Sequence, residues 1–150
     1  MPKQSLLRLI KRWKQYELRA NRTCVPKNTR GVYVLYRNHS GNNHEVVYIG
    51  VSGLGESGGG GIHRRLRRHD KRTMGEWTHF SFFEVHDNVT SEEIRELESL
   101  LLEIFRHDPR IQLANKQNGS KKLQQLKKAS QWIEAQPSAP VGRSRRRSRP

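Results

Sequence analysis

GVYVLYRNHSGNNHEVVYIGV, residues 31–51, decides the fold. Two runs in it, Gly31 to Arg37 and Glu45 to Val51, are rich in β-branched and aromatic residues, the signature of strands. Between them NHSGNNH supplies Gly and Asn, which tolerate positive φ and so make turns. The stretch reads as a β-hairpin.

Working outward, residues 4–20 have the composition of a basic amphipathic helix. Leu6, Leu7, Leu9, Ile10 and Trp13 form its apolar side, and Arg8, Lys11, Arg12, Lys14 and Arg19 the rest. Pro26 to Arg30 interrupts the pattern. On the other flank a glycine-rich connector leads to a short, very basic helix from Ile62 to about Thr73, then to a third strand, Trp77 to Val85. Thr90 and Glu93 make a capping box that opens a helix running to about Arg106, stopped by Pro109. Ile111 to Ala114 reads as a short strand or an extended segment, and Lys121 to Glu134 as one more helix. The expected class is α+β, with a small three-stranded antiparallel sheet flanked by helices. The organisation expected is a basic N-terminal helix over 1–26, the folded domain over 27–120, a C-terminal helix over 121–136 and a disordered Arg-rich tail over 137–150.

Of the 150 residues only 33% are hydrophobic, which bounds the compact part at about 90 to 110 residues. The 29 basic against 14 acidic residues give a formal charge of +15, a field that attracts polyanions, nucleic acid foremost. Cys24 is the single cysteine, so no internal disulfide and no cysteine-rich zinc site can form. No run approaches the roughly 18 apolar residues of a membrane span, and Arg8, Lys11 and Arg12 break up the N-terminal apolar pieces. The expectation is a cytoplasmic protein, near the nucleoid, with nucleic acid as partner and no membrane association. Oligomeric state is not legible.

At about 100° per residue, the helix after Thr90 places Leu101 and Phe105 within about 20° of Ile94, with Leu97 and Leu102 flanking. Glu98 falls at roughly 40°, inside this apolar face, while Glu92, Glu96 and Glu103 lie near the opposite pole. A carboxylate there is paired with a cation, reaches round to water, or serves as a metal ligand or general acid/base. On the basic helix Ile62 and Leu66 face inward, with His69 on their side and Arg65 at its margin. Arg65 is then held where its guanidinium can grip a phosphate, and His69 is either a core histidine or a participant in chemistry. Arg64, Arg67, Arg68, Lys71 and Arg72 are phosphate-tracking charge. Gly53-Leu54-Gly55-Glu56-Ser57-Gly58 also fits the GxGxxG of a dinucleotide cradle, but no second βαβ half and no Walker lysine accompany it.

Gly31-Val32-Tyr33 followed by Tyr48-Ile49-Gly50 resembles the signature hairpin of the GIY-YIG endonucleases. Arg65-Leu66-Arg67-Arg68-His69 matches the family's Arg-Leu-x-x-His run, Glu98 its later glutamate and Asn115 its downstream asparagine. The five elements keep their order over residues 31–118; Val51 stands where many relatives carry a lysine. The resemblance implies a Mg2+-dependent phosphodiesterase, with Mn2+ as a substitute ion, cleaving DNA. It further implies Glu98 as metal ligand, Arg65 facing the phosphorane, Tyr33 activating the nucleophile and Tyr48 and His69 assisting. Gly31, Gly50 and Asn115 would shape the site. The competing reading is a non-catalytic nucleic-acid-binding module on the same scaffold.

Overall fold

The computed structural model describes residues 8–53, 60–71, 77–111, 113–115, 119–129 and 131–136. The sequence hairpin is there, with β2 at Gly31–Ser40 and β3 at Asn43–Ser52, turning through Gly41 at φ 56°. Its strands are longer than their apolar runs because the ladder continues through polar residues to Ser40↔Asn43. Gly31 lies so close to the carbonyl of Phe83 that no side chain fits.

The sheet has four strands, not three. Its order is β1-β4-β2-β3 with every pair antiparallel, where β1 is Ile10–Leu18 and β4 is His79–Val85. The N-terminal helix expected over 4–20 is therefore corrected: its central part is an edge strand followed by a 3-10 helix at Arg19–Cys24, and residues 1–7 lie outside the described residues. Local pattern loses here to tertiary pairing. The free edge of β4 takes up the backbone of β1, Arg12 pairs with Glu84 at 2.6 Å, and the Tyr16 N–H donates to Ser81 Oγ at 3.0 Å. The ladder is irregular between Lys14 and Glu17, and Tyr16 sits at φ 51°. An aromatic residue in this region is strained by about 1–3 kcal/mol.

Two helices sandwich the sheet. On one side α1, Gly61–Lys71, presses Ile62 and Leu66 against Tyr33, Leu35, Phe80 and Phe82. On the other, α2, Ser91–Arg106, places Ile94 and Leu102 against Val32, Ile49, Val51 and Val85, with Leu97, Leu101 and Phe105 beside them. The apolar stripe computed for α2 is the one it buries. Its capping box is intact, Glu93 N–H to Thr90 Oγ1 and Thr90 N–H to Glu93 Oε2, each at 3.2 Å. Val51 is buried on the α2 side among these aliphatics, so an aliphatic residue suits the position after Gly50.

The last helix, α3, spans Gly119–Ala129 and packs on α2, burying Leu123; residues 131–136 do not continue it, which shortens the helix expected over 121–136. Residues 137–150 lie outside the described residues. Among the described residues no helix is long and apolar enough to cross a membrane.

Candidate active site

Tyr33 projects from β2 towards α1 and is almost fully buried. Its hydroxyl lies 2.8 Å from Nε2 of His69, itself a buried residue of α1. Tyr48, on β3, stacks on Tyr33 with ring centroids 5.9 Å apart and lies tilted against His69 at 4.5 Å. A bulge shapes this corner: the β2–β3 register slips between Leu35 and Tyr36. Because of it Val46 joins the α2 side while Tyr48, two residues on, faces α1. Bulges re-aim side chains in this way beside working sites.

Gly50 stands opposite Tyr33 in the ladder, and the phenol lies directly over its Cα. A Cβ at Gly50 would come within 2.6 Å of the hydroxyl oxygen of Tyr33. The close approach, not backbone freedom, demands glycine here.

Burial is the main reason the Tyr33 phenol is pushed well above its ordinary pKa; Tyr48 and Glu98 add to the rise and Arg65 opposes it. Tyr48 is also raised by burial, with Glu98 raising and Arg65 lowering it. The interaction between the two phenol groups raises Tyr33 and lowers Tyr48. Towards His69 the Tyr33 hydroxyl donates when Nε2 is unprotonated and accepts when Nε2 carries a proton. Glu98 of α2 and Arg65 of α1, both half-buried, thus act on the same two phenols. Of the five side chains singled out in the sequence, Tyr33, Tyr48 and His69 are in contact, and Arg65 and Glu98 lie near enough to act on both phenols.

Because both phenols are raised, their contribution to stability is complete below the unfolded value of about 10 and is lost above it, where only the unfolded chain ionises readily. The melting temperature is expected to fall as pH climbs past about 10, and less steeply in Tyr33→Phe, by calorimetry across that range.

Asn115 supports the site from outside. Its Oδ1 accepts from the Ile49 N–H at 3.1 Å and its Nδ2 donates to the Ile49 carbonyl at 2.6 Å. The Ala114 N–H donates to the Val47 carbonyl at 2.7 Å. This segment covers the open edge of β3 and fixes the residue lying between Tyr48 and Gly50.

Glu103, near the opposite pole of α2 from Ile94, is engaged locally. It bonds His107 at 2.9 Å and Arg106 at 3.1 Å, and the His107 bond foremost holds its carboxyl low. Arg64, Arg67 and Arg68 point outward as expected and line a cleft of about 450 Å³ with Lys27, Gly60 and His63. Arg72 and the side chain of Lys71 lie outside the described residues. Lys27 and His63 were missed. His63 shares the outward arc of α1 with the arginines, which helical spacing would have revealed, and its Nδ1 is 2.9 Å from the Val25 carbonyl. Lys27 reaches the cleft from a loop distant in sequence. Of the glycine connector, residues 54–59 lie outside the described residues, and the all-antiparallel sheet is not the parallel sheet of a dinucleotide cradle.

Comparison with protein-family models, with curated proteins and with solved structures gave no match.

Proposed function

We propose that this protein is a GIY-YIG-type endonuclease that hydrolyses phosphodiester bonds in DNA with the help of a divalent cation. The reading rests on one observation: two phenols and an imidazole, carried on β2, β3 and α1, are in contact, and a guanidinium of α1 and a carboxylate of α2 act electrostatically on both phenols. A structural cluster would gain more from apolar side chains there.

Water attacks phosphorus and gives its proton to the Tyr33 hydroxyl as that hydroxyl passes its own to Nε2 of His69. A phenol acting as a relay stays neutral overall, in keeping with its raised pKa. Arg65 faces the negative charge that gathers on the phosphorane oxygens. Tyr48 fixes the orientation of the Tyr33 hydroxyl. Glu98 would hold the cation: one carboxylate suits Mg2+ or Mn2+, which keep several waters and take further ligands from phosphate. When bound, the cation polarises the phosphate and stabilises the leaving oxygen. The arginine-lined cleft on the outer side of α1 would take the flanking backbone.

The test is nicking of supercoiled plasmid. Cleavage is expected in Mg2+ and in Mn2+ and none in EDTA. Binding to duplex, branched and single-stranded DNA without cleavage in either ion would leave the non-catalytic binding module instead.

A further inference from the structure

A second ring cluster lies on the α2 side of the sheet, away from Tyr33. Over this side α2 packs on β2 and β3. On β1 the same side presents Trp13, 61% exposed, and Tyr16, 50% exposed. Trp13 pairs with Phe83, and the Tyr16 N–H bonds Ser81; both partners oppose α2-side residues of β2, Val32 and Val34. The irregular ladder and the positive φ of Tyr16 lay its ring across the sheet. It stacks on His44 of β3 at 4.7 Å and 14° and meets Tyr36 of β2 at 5.1 Å, while His79 of β4 stands edge-on to His44 at 4.7 Å. Each of the four strands contributes one ring.

We propose that Trp13 and Tyr16, backed by Tyr36, His44 and His79, form a base-stacking platform for single-stranded nucleic acid. The proposal rests on the nucleic-acid reading above but concerns the face opposite the Tyr33 site. Tyr16, on a strained backbone, lays one ring face on His44 and Tyr36, yet half of it and most of Trp13 stay exposed, an unusual amount of aromatic surface for one strand. The field around them is that of a chain of net charge +15, and Lys11 is exposed beside Trp13, while Arg12 and Lys14 stand on the other face of β1, paired with Glu84 and Glu17. The strand's one acid, Glu17, already engages Lys14 at 3.5 Å and Asn21 at 2.6 Å. Stacking faces within a positive field suit a strand whose bases are unpaired, because a duplex hides them. Trp13 and Tyr16 are three residues apart, roughly 10 Å along a strand, a span of a few nucleotides. A second copy is a poorer occupant, since the irregular β1 edge would not pair and its cations would repel their equivalents.

The test measures anisotropy of a fluorescent oligothymidylate of about 15 nucleotides and, separately, of a duplex, across a salt series. Trp13→Ala and Tyr16→Ala are each expected to weaken oligothymidylate binding about tenfold, with the salt slope, duplex affinity and plasmid nicking unchanged. Trp13→Phe should retain most of the affinity. Tyr16→Gly, which keeps the backbone conformation without strain, should match Tyr16→Ala. Wild-type oligothymidylate affinity in both alanine variants overturns the platform, as does an equal loss on single strand and duplex. Conversion of a dimer to a monomer by Trp13→Ala, seen by sedimentation, overturns it in favour of a self-interface. A wild-type protein that binds neither probe overturns both readings, whereas one that nicks plasmid while the variants bind normally loses the platform alone.

Discussion

Glu98→Ala is expected to lower Mg2+-dependent plasmid nicking by about three orders of magnitude or more, the size of a lost metal contact at a phosphoryl centre. Glu98→Gln should fall nearly as far, because it keeps the shape and loses the charge. Glu103→Ala, which removes only local bonds to Arg106 and His107, should cleave as wild type does. A second readout does not depend on cleavage. The Glu98 carboxylate raises both phenols, so its removal should lower the titration of Tyr33 and Tyr48, followed by ultraviolet absorption of the phenolate. Wild-type nicking in Glu98→Ala would sink the site assignment even if the phenol titration moved as expected.

Gly50→Ala is expected to destabilise the protein by about 1–3 kcal/mol and to reduce cleavage to the level of Tyr33→Phe or below. The added methyl would sit 2.5 Å from Cζ of Tyr33, so either the ring leaves His69 or β3 lifts away. Either movement separates the hydroxyl from Nε2. The origin of the cost is testable by a mutant cycle. In a Tyr33→Ala background the ring is gone, and Gly50→Ala should then cost little in melting temperature. An equal cost in both backgrounds would locate the effect in the β3 backbone rather than in the phenol.

How much of this was legible depended on whether a feature was local. The hairpin, the capping box at Thr90 and the inward face of α1 are set by residues near one another in sequence, and period and composition record them. Glu98 stood out for the same reason, as a charge on the stripe that α2 buries. The strand at Ile10–Leu18 left no such record. IKRWKQYEL has no two-residue alternation, and it is extended because β4 offers an edge to it. Lys27 joined the cleft by chain reversal, and the bulge that sends Val46 and Tyr48 to opposite sides depends on register rather than on any turn residue. Asn115 could be singled out only by its order after the other motif residues. That its amide grips both backbone groups of Ile49 is a tertiary fact.

The basic helix α1 is fastened at both ends. At its start the Ile62 N–H donates to the Thr29 carbonyl and the Gly60 N–H to Asn28 Oδ1. Near its end Asp70 pairs with Arg19 at 2.6 Å and Arg22 at 2.7 Å, and Arg19 also lies 4.5 Å over the ring of Trp77. Such a density of like charge would melt a free peptide; here the sheet and these ties hold the turns in place. The arginines therefore meet a phosphate chain on a helix that is already wound. Association need not include a coil-to-helix transition, so its heat-capacity change should reflect surface burial alone and not coupled folding.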